Sequence, residues 1–422
     1  MPRPASISRR GLLGGGAAAV GLGGAFAVGR ASEAAGSSAG SGSVESERYA
    51  LRGQHQPGIV TPAQDRLHFA AFDVLTEDRD ELIDLLRSWT DAAEEMMAGR
   101  AVGSGAIGSF DLPPDDTGEA LGLPASGLTI TFGFGPGLFA TTEGEDRFGL
   151  ADRRPAGLED LPHFPGDALI EARSGGDLCV QACAQDPQVA VHAIRNLARI
   201  GFGTVSVRWS QLGFGRTSTT STQQETPRNL FGFKDGTDNV KAEEVDALDE
   251  HVWIGADDDP DAAWLAGGSF LVARRIAMDI EVWDRQPLGD QEDFVGRAKG
   301  TGAPLSGGEE HTAPDFSLAG SDGPIIPTTS HVAVVHPDHH DGVRMLRRGY
   351  NFVDGTTDLG ALDAGLFFLA YVRDPRTHFT PVQQAMSRHD ALMEYLTVTG
   401  SAVFAVPPGA GEGEYVGEPL FG

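Results

Sequence analysis

The side chains able to bind a metal or move a proton are few enough to sort one by one. The chain carries 12 histidines and 2 cysteines in 422 residues. His339 and His340 stand in Pro337-Asp338-His339-His340-Asp341-Gly342, a turn composition that leaves them solvated. His55, His68, His163, His192, His251 and His378 have no ligand-like spacing, His311 lies among glycines and acids in a loop, and His389 falls inside the last helical stretch. His331 and His336 sit five apart on an apolar run that reads as a strand. On a strand they face opposite sides, and only one of them can point into an interior cavity. The sequence holds no His-Glu-x-x-His, no Cys/His zinc spacing and no EF-hand loop, which argues against an enzyme built on a bare metal ion. Cys179 and Cys183 share one strand-like run. Four strand steps separate them by roughly 13 Å, beyond disulfide reach, so both are expected as buried thiols.

The most specific segment is Phe231-Gly232-Phe233-Lys234-Asp235-Gly236-Thr237-Asp238-Asn239. Its two glycines let the backbone turn sharply or approach a flat ligand, and Asp235 held there could act as a general acid/base. Taken alone, the same residues also make an ordinary Asp-Gly turn. Trp253, Trp264, Trp283, Tyr350 and Tyr371 read as core packing, with electron relay as the alternative.

The elements that must position these residues recur in one order. Residues 67–75 are an apolar, strand-like run, and residues 77–97 place Leu82, Leu85, Leu86, Trp89, Ala93 and Met96 at helical spacing. Strands follow at 127–134 and 177–184. Asp186-Pro187 then opens a helix carrying Val189, Ala193, Leu197 and Ile200, and 204–212 closes the set as a strand. The order is β-α-β-β-α-β. A second set runs through a strand at 269–280, a helix at 291–299, extended segments at 331–335 and 344–352, and a strand at 366–372. A helix opened by Thr380-Pro381 carries Val382, Met386, Leu392, Met393 and Leu396, before a final strand at 401–406. The fold class is therefore α+β, with two ferredoxin-like domains, 48–225 and 226–422, packed together.

Charge narrows the partners. The formal net charge is -28, from 32 basic and 60 acidic residues, which repels nucleic acid and anionic membranes. The first 30 residues differ: they hold Arg3, Arg9, Arg10 and Arg30 and no acid. Ser8-Arg9-Arg10-Gly11-Leu12-Leu13 is a twin-arginine pattern followed by a Gly/Ala-rich apolar run, too poor in Leu and Ile for a permanent span. Residues 1–34 read as an export signal, with cleavage after Ala27, Ala31 or Ala34, and 35–47 as a flexible leader. The mature chain is expected without a membrane span, in the periplasm, the cell envelope or outside the cell.

The segment around Asp235 resembles the Gly-x-x-Asp-Gly signature of dye-decolorizing peroxidases. Gln54-His55-Gln56-Pro57-Gly58-Ile59-Val60-Thr61-Pro62, Leu161-Pro162-His163-Phe164-Pro165-Gly166-Asp167 and Gly175-Gly176-Asp177-Leu178 look like that family's N-terminal half. Ser330-His331-Val332 is similar to its proximal-histidine segment, and Met345-Leu346-Arg347-Arg348-Gly349-Tyr350-Asn351-Phe352 to its distal-arginine segment. Gly365-Leu366-Phe367-Phe368-Leu369-Ala370-Tyr371 is similar to part of its last domain. The likeness runs in order from about residue 48 to about 408, and is nearest to the exported deferrochelatase/peroxidase branch linked to iron uptake.

This resemblance implies one haem b per chain in the C-terminal domain, with hydrogen peroxide and a reducing substrate (a dye, a phenol or a metal ion) as reactants. It implies His331 as the iron ligand, Asp390 as the acid behind it, Asp235 as distal acid/base and Arg347 as the charge stabiliser. Arg348 would point the other way, Gly236 and Thr237 would line the haem edge, and Arg297 would meet a propionate. Asp390 also reads as a plain surface carboxylate on a helix. Release of iron from haem with the porphyrin intact, and non-enzymatic haem carriage, stand as alternative functions. Iron-uptake proteins and a second copy of the chain stand as partners that the resemblance allows.

Overall fold

The computed structural model describes residues 47–321 and 323–422. The expected export signal, its expected cleavage and nearly all of the expected leader lie outside the described residues.

Alternation along β1 (Arg66–Val74) sets the architecture. Successive strand side chains point to opposite faces. Leu67, Phe69 and Ala71 enter one apolar cluster, while Ala70, Phe72 and Val74 enter another. Both faces are buried, and each needs its own cover. The cover for Phe72 and Val74 is α1 (Arg79–Met97) and α2 (Pro187–Ile200). α1 starts where the Asp78 carboxylate accepts from the N–H groups of Asp80 and Glu81, donors that a first helical turn leaves free. Leu82, Leu85, Leu86, Trp89, Ala93 and Met96 form its buried stripe, as their spacing predicts. α2 opens on the Asp186 cap with Pro187 in its first turn.

The opposite face looks into a barrel. β2 (Thr129–Phe134), β3 (Leu178–Ala184), β1 and β4 (Val205–Arg216) lie in the order β2-β3-β1-β4. The later strands are β5 (Ser269–Met278), the two-residue β6 (Leu346–Arg347), β7 (Tyr350–Thr356), β8 (Leu362–Val372) and β9 (Leu396–Val406). Four of them form a second set in the order β9-β5-β8-β7.

Thin seams join the two sets. Ala405 of β9 pairs with Phe134 of β2, and Phe214 and Arg216 of β4 pair with Asn351 and Tyr350 of β7. The β8–β5 ladder, from Gly365 opposite Ala277 to Val372 opposite Phe270, completes the ring. Eight antiparallel strands thus close into one barrel, with β6 beside β8. Both sets fill the same interior: Leu67, Phe69 and Cys179 from the first meet Leu271, Phe367, Tyr371 and Phe404 from the second. Closure removes the free edges that two separate sheets would expose, and the described residues form one compact unit. Cys179 and Cys183 are buried free thiols, as expected. No helix among the described residues is long and apolar enough to cross a membrane.

Several elements differ from their sequence reading. The helix expected at 291–299 is α3 (Leu288–Val295), ended by Gly296 in the left-handed region at φ 85°, so Arg297 follows it in a loop. The segment expected as a strand at 331–335 is a one-turn helix, α4 (His331–Val335), which Ser330 caps by accepting from the Ala333 N–H. The last helix, α5 (Thr380–His389), stops before Asp390, so Leu392 and Met393 fall in a tight 3-10 turn and Leu396 opens β9. Trp253, Trp264, Trp283, Tyr350 and Tyr371 are all buried, which takes each of them off the surface.

Candidate functional site

Among the described residues, the outer face of the second strand set carries no equivalent of α1; it fronts a cavity of about 420 Å³. That size suits a small molecule or cofactor. All its lining residues lie between Asn229 and Leu396. Strand alternation explains the wall: Leu271 and Ala273 of β5 point into the barrel, while Arg274, Ile276 and Met278 point into the cavity. On β8, Phe367 and Leu369 point in, and Leu366 and Phe368 line the cavity. Facing this sheet are His331, Val332 and Val335 of α4 and Val382, Gln383 and Met386 of α5, and the segment around Asp235 closes a third side.

His331 is the first residue of α4, and its Nδ1 lies 2.7 Å from Oδ2 of Asp390. The Asp390 side chain has no exposed surface. Its second oxygen accepts from the Leu392 N–H at 2.9 Å, capping the 3-10 turn after α5. Asp390 is therefore a buried acid aimed at one imidazole nitrogen, and no surface carboxylate. Burial disfavours a charged His331 ring, but the adjacent Asp390 carboxylate outweighs it and lifts the pKa above its ordinary value. The His331 Nε2 has no hydrogen-bond partner among the described residues. Because α4 is helical, His336 does not face away from His331: both line the cavity. The Nδ1 of His336 accepts from the Asp338 N–H at 3.3 Å. His339 is exposed, as its turn implies, and its ring bonds the Ala333 carbonyl, while the half-buried His340 bonds that of Val334.

Asp235 and Arg347 meet elsewhere on the wall, and both act electrostatically on the His331 ring. Nη1 of Arg347 donates to Oδ1 of Asp235 at 3.1 Å, and Nδ2 of Asn229 donates to Oδ2 at 3.2 Å. Both carboxylate oxygens are thus acceptors. Gly236 follows at φ 85°, and a Cβ there would come within 2.8 Å of the Ser218 Cα, so the turn requires glycine. Thr237 lines the cavity and donates to Glu310 at 3.3 Å. Arg297 also lines it, with Nη1 held by the carbonyls of Gly302 and Glu310.

Arg348 does point the other way. It is fully buried, and its guanidinium bonds the carbonyls of Ile59 and Thr61 and the side chain of Gln64. All seven singled-out residues come to this region: six line the cavity, and Asp390 stands behind His331. Sequence reasoning assigned no role to Asn229, Asn239 or Lys241. The first two flank the Asp235 turn, and that position was the available signal. Lys241 reaches the Gly236 carbonyl at 3.3 Å, and burial pushes its pKa down to about 8, with Arg347 adding to the effect.

The wall combines apolar strand faces, basic side chains and one imidazole whose outer nitrogen is oriented by a buried acid. Known proteins are similar to most of this chain. The description "Dyp-type peroxidase, N-terminal" matches residues 56–215, and "Dyp-type peroxidase, C-terminal" matches residues 226–411. The deferrochelatase of Escherichia coli (strain K12) is 36% identical over 382 residues, 89% of this chain and 88% of the relative. Ferric DtpA from Streptomyces lividans aligns in structure with a TM-score of 0.81 at 41% identity, covering 90% of this chain and 98% of that one. A DyP-type peroxidase from Cellulomonas bogoriensis gives 0.79 at 37% identity, with 89% and 99% covered.

The chain belongs to the Dyp-type peroxidase family. It is an enzyme, a peroxidase whose cofactor is haem. The cavity fits that group: the free Nε2 of His331 is a nitrogen ligand suited to iron, the strand faces are apolar, and Arg297 and Arg347 are cations suited to carboxylates.

Proposed function

We propose that this chain reduces hydrogen peroxide and oxidises dyes, phenols or metal ions, with His331 as the iron ligand, Asp235 as distal acid/base and Arg347 as charge stabiliser. The observation that carries the reading is the presence, on one cavity, of two hydrogen-bonded pairs: His331–Asp390 and Asp235–Arg347. Haem, when bound, supplies the two electrons that reduce peroxide and draws them back from the reducing substrate.

The protein's own part is orientation and proton movement. Asp390 holds the proton on Nδ1 of His331, which leaves Nε2 as the lone-pair donor and raises its basicity. Asp235 accepts a proton from peroxide and returns it to the departing oxygen, which leaves as water. Arg347 offers a fixed cation where negative charge develops as the oxygen–oxygen bond breaks. Gly236 and Thr237 would line the haem edge, and Arg297 would meet a propionate. All the lining residues lie in the C-terminal half, which supports haem binding there. The strand orders β4-β1-β3-β2 and β9-β5-β8-β7 support two ferredoxin-like halves, 48–225 and 226–422, sharing the barrel. The Arg9-Arg10 pattern supports twin-arginine export to the periplasm, envelope or exterior.

A second reading is favoured by the name of the E. coli relative: release of iron from haem with the porphyrin intact. Haem incubated with the reduced protein separates the two. Metal-free porphyrin fluorescence supports iron release, and its absence with turnover of peroxide leaves the peroxidase reading alone. The ligand assignment is tested by purifying variants with haem: His331→Ala should lose most of the bound haem and His336→Ala should keep it. The reverse pattern overturns the assignment.

A further inference from the structure

Asn239 lies four residues after Asp235 and is 1% exposed. Its Oδ1 accepts from the Arg347 N–H at 2.7 Å. Its Nδ2 donates to the Arg347 carbonyl at 2.9 Å and to the Thr219 carbonyl at 2.8 Å. Its own N–H closes back on the Gly236 carbonyl at 3.2 Å. One carboxamide therefore uses both of its donors and its acceptor on main chain, and two of those three bonds go to a single residue.

The reason lies in β6, which is only two residues long and pairs with β8 through Ala370 opposite Arg347 and Tyr371 opposite Leu346. The neighbouring Arg348 N–H bonds the Leu369 carbonyl, while the N–H and carbonyl of Arg347 bond the Asn239 amide instead. Backbone groups in a buried place need partners, and among the described residues no further strand supplies them on that side. The amide of Asn239 stands in for the missing strand, and its own backbone belongs to the turn that carries Asp235.

We infer that Asn239 is a positioning residue that fixes the Arg347 main chain and so aims its guanidinium at Asp235. The inference rests on the reading of Arg347 as the charge stabiliser. Asn239 touches neither the cavity nor the reacting atoms; it acts through Arg347. A core asparagine with a purely structural role would affect the site equally whether or not Arg347 were present. A positioning residue has no effect once the residue it positions is gone.

A double-mutant cycle separates these cases. Fluoride is titrated into the haem-loaded ferric protein and followed by absorption, with thermal unfolding recorded for each variant. Asn239→Ala should weaken fluoride binding about tenfold beside Arg347, and by less than about twofold in the Arg347→Leu background. Equal losses in both backgrounds overturn the inference while leaving the distal reading intact. If Arg347→Leu alone leaves fluoride affinity unchanged, the distal reading fails and takes this inference with it. Should Asn239→Ala not fold, Asn239→Ser carries the same cycle with the same deciding outcomes.

Discussion

The Nδ1 of His331 and the Oδ2 of Asp390 lie 2.7 Å apart, although the two residues are 59 positions apart in the chain. The carboxylate is fully buried, capped on one oxygen by the Leu392 N–H and committed on the other to the imidazole. Such a partner orients a ligand ring and increases the electron density it offers a metal.

Asp390→Asn keeps the shape and removes the charge. The expected result is haem bound about 10–100-fold more weakly, with a higher haem reduction potential. Haem transfer to an apo-globin acceptor and a redox titration measure these two quantities. Unchanged affinity and potential would show that Asp390 has no hold on the ligand.

Much of the scaffold was legible in sequence and some of the site was not. Leu82, Leu85, Leu86, Trp89, Ala93 and Met96 recur at helical spacing, so α1 could be read directly. α4 could not: Val332, Val334 and Val335 are β-branched and read as a strand, and the Ser330 cap decides otherwise over a single turn. Barrel closure was hidden because it depends on ladders such as Leu366 opposite Ile276, 90 positions apart, which no local pattern encodes. Asp235 and Arg347 stood out through their neighbours. The Asn239 clamp did not, because its partners are backbone groups that carry no residue identity.

Arg274 and Asp167 form an ion pair in which each side chain is 1% exposed. Asp167 precedes β3 and Arg274 lies on β5, so the pair ties the N-terminal half to the cavity wall. Removing one partner strands a buried charge. Asp167→Asn should therefore cost about 3–5 kcal/mol in denaturant unfolding, and Asp167→Asn with Arg274→Met should recover part of it. A loss below about 1 kcal/mol for the single variant would mean that water reaches the pair.

His68 lies on β1, and burial pushes its pKa from 6.5 down to about 4. Its Nδ1 is buried without a partner among the described residues. The folded chain thus declines a proton that the unfolded chain accepts. Between pH 6.5 and pH 4 the unfolded state binds more protons, so stability falls as pH falls through that window. His68→Gln should flatten that slope, with a difference of about 3 kcal/mol between pH 7 and pH 4. Parallel stability curves for parent and variant would remove His68 as the cause.

Asp235 and Arg347, joined at 3.1 Å, are the groups proposed to act on peroxide. Stopped-flow mixing of the haem-loaded protein with hydrogen peroxide reads their contribution as the rate of the first spectral change. Asp235→Asn should slow that change by a factor of ~10²–10⁴, the usual cost of a positioned acid/base, and Arg347→Leu should cost at least as much. Parental rates in both variants would rule the pair out and leave the chemistry to some other group on the cavity wall.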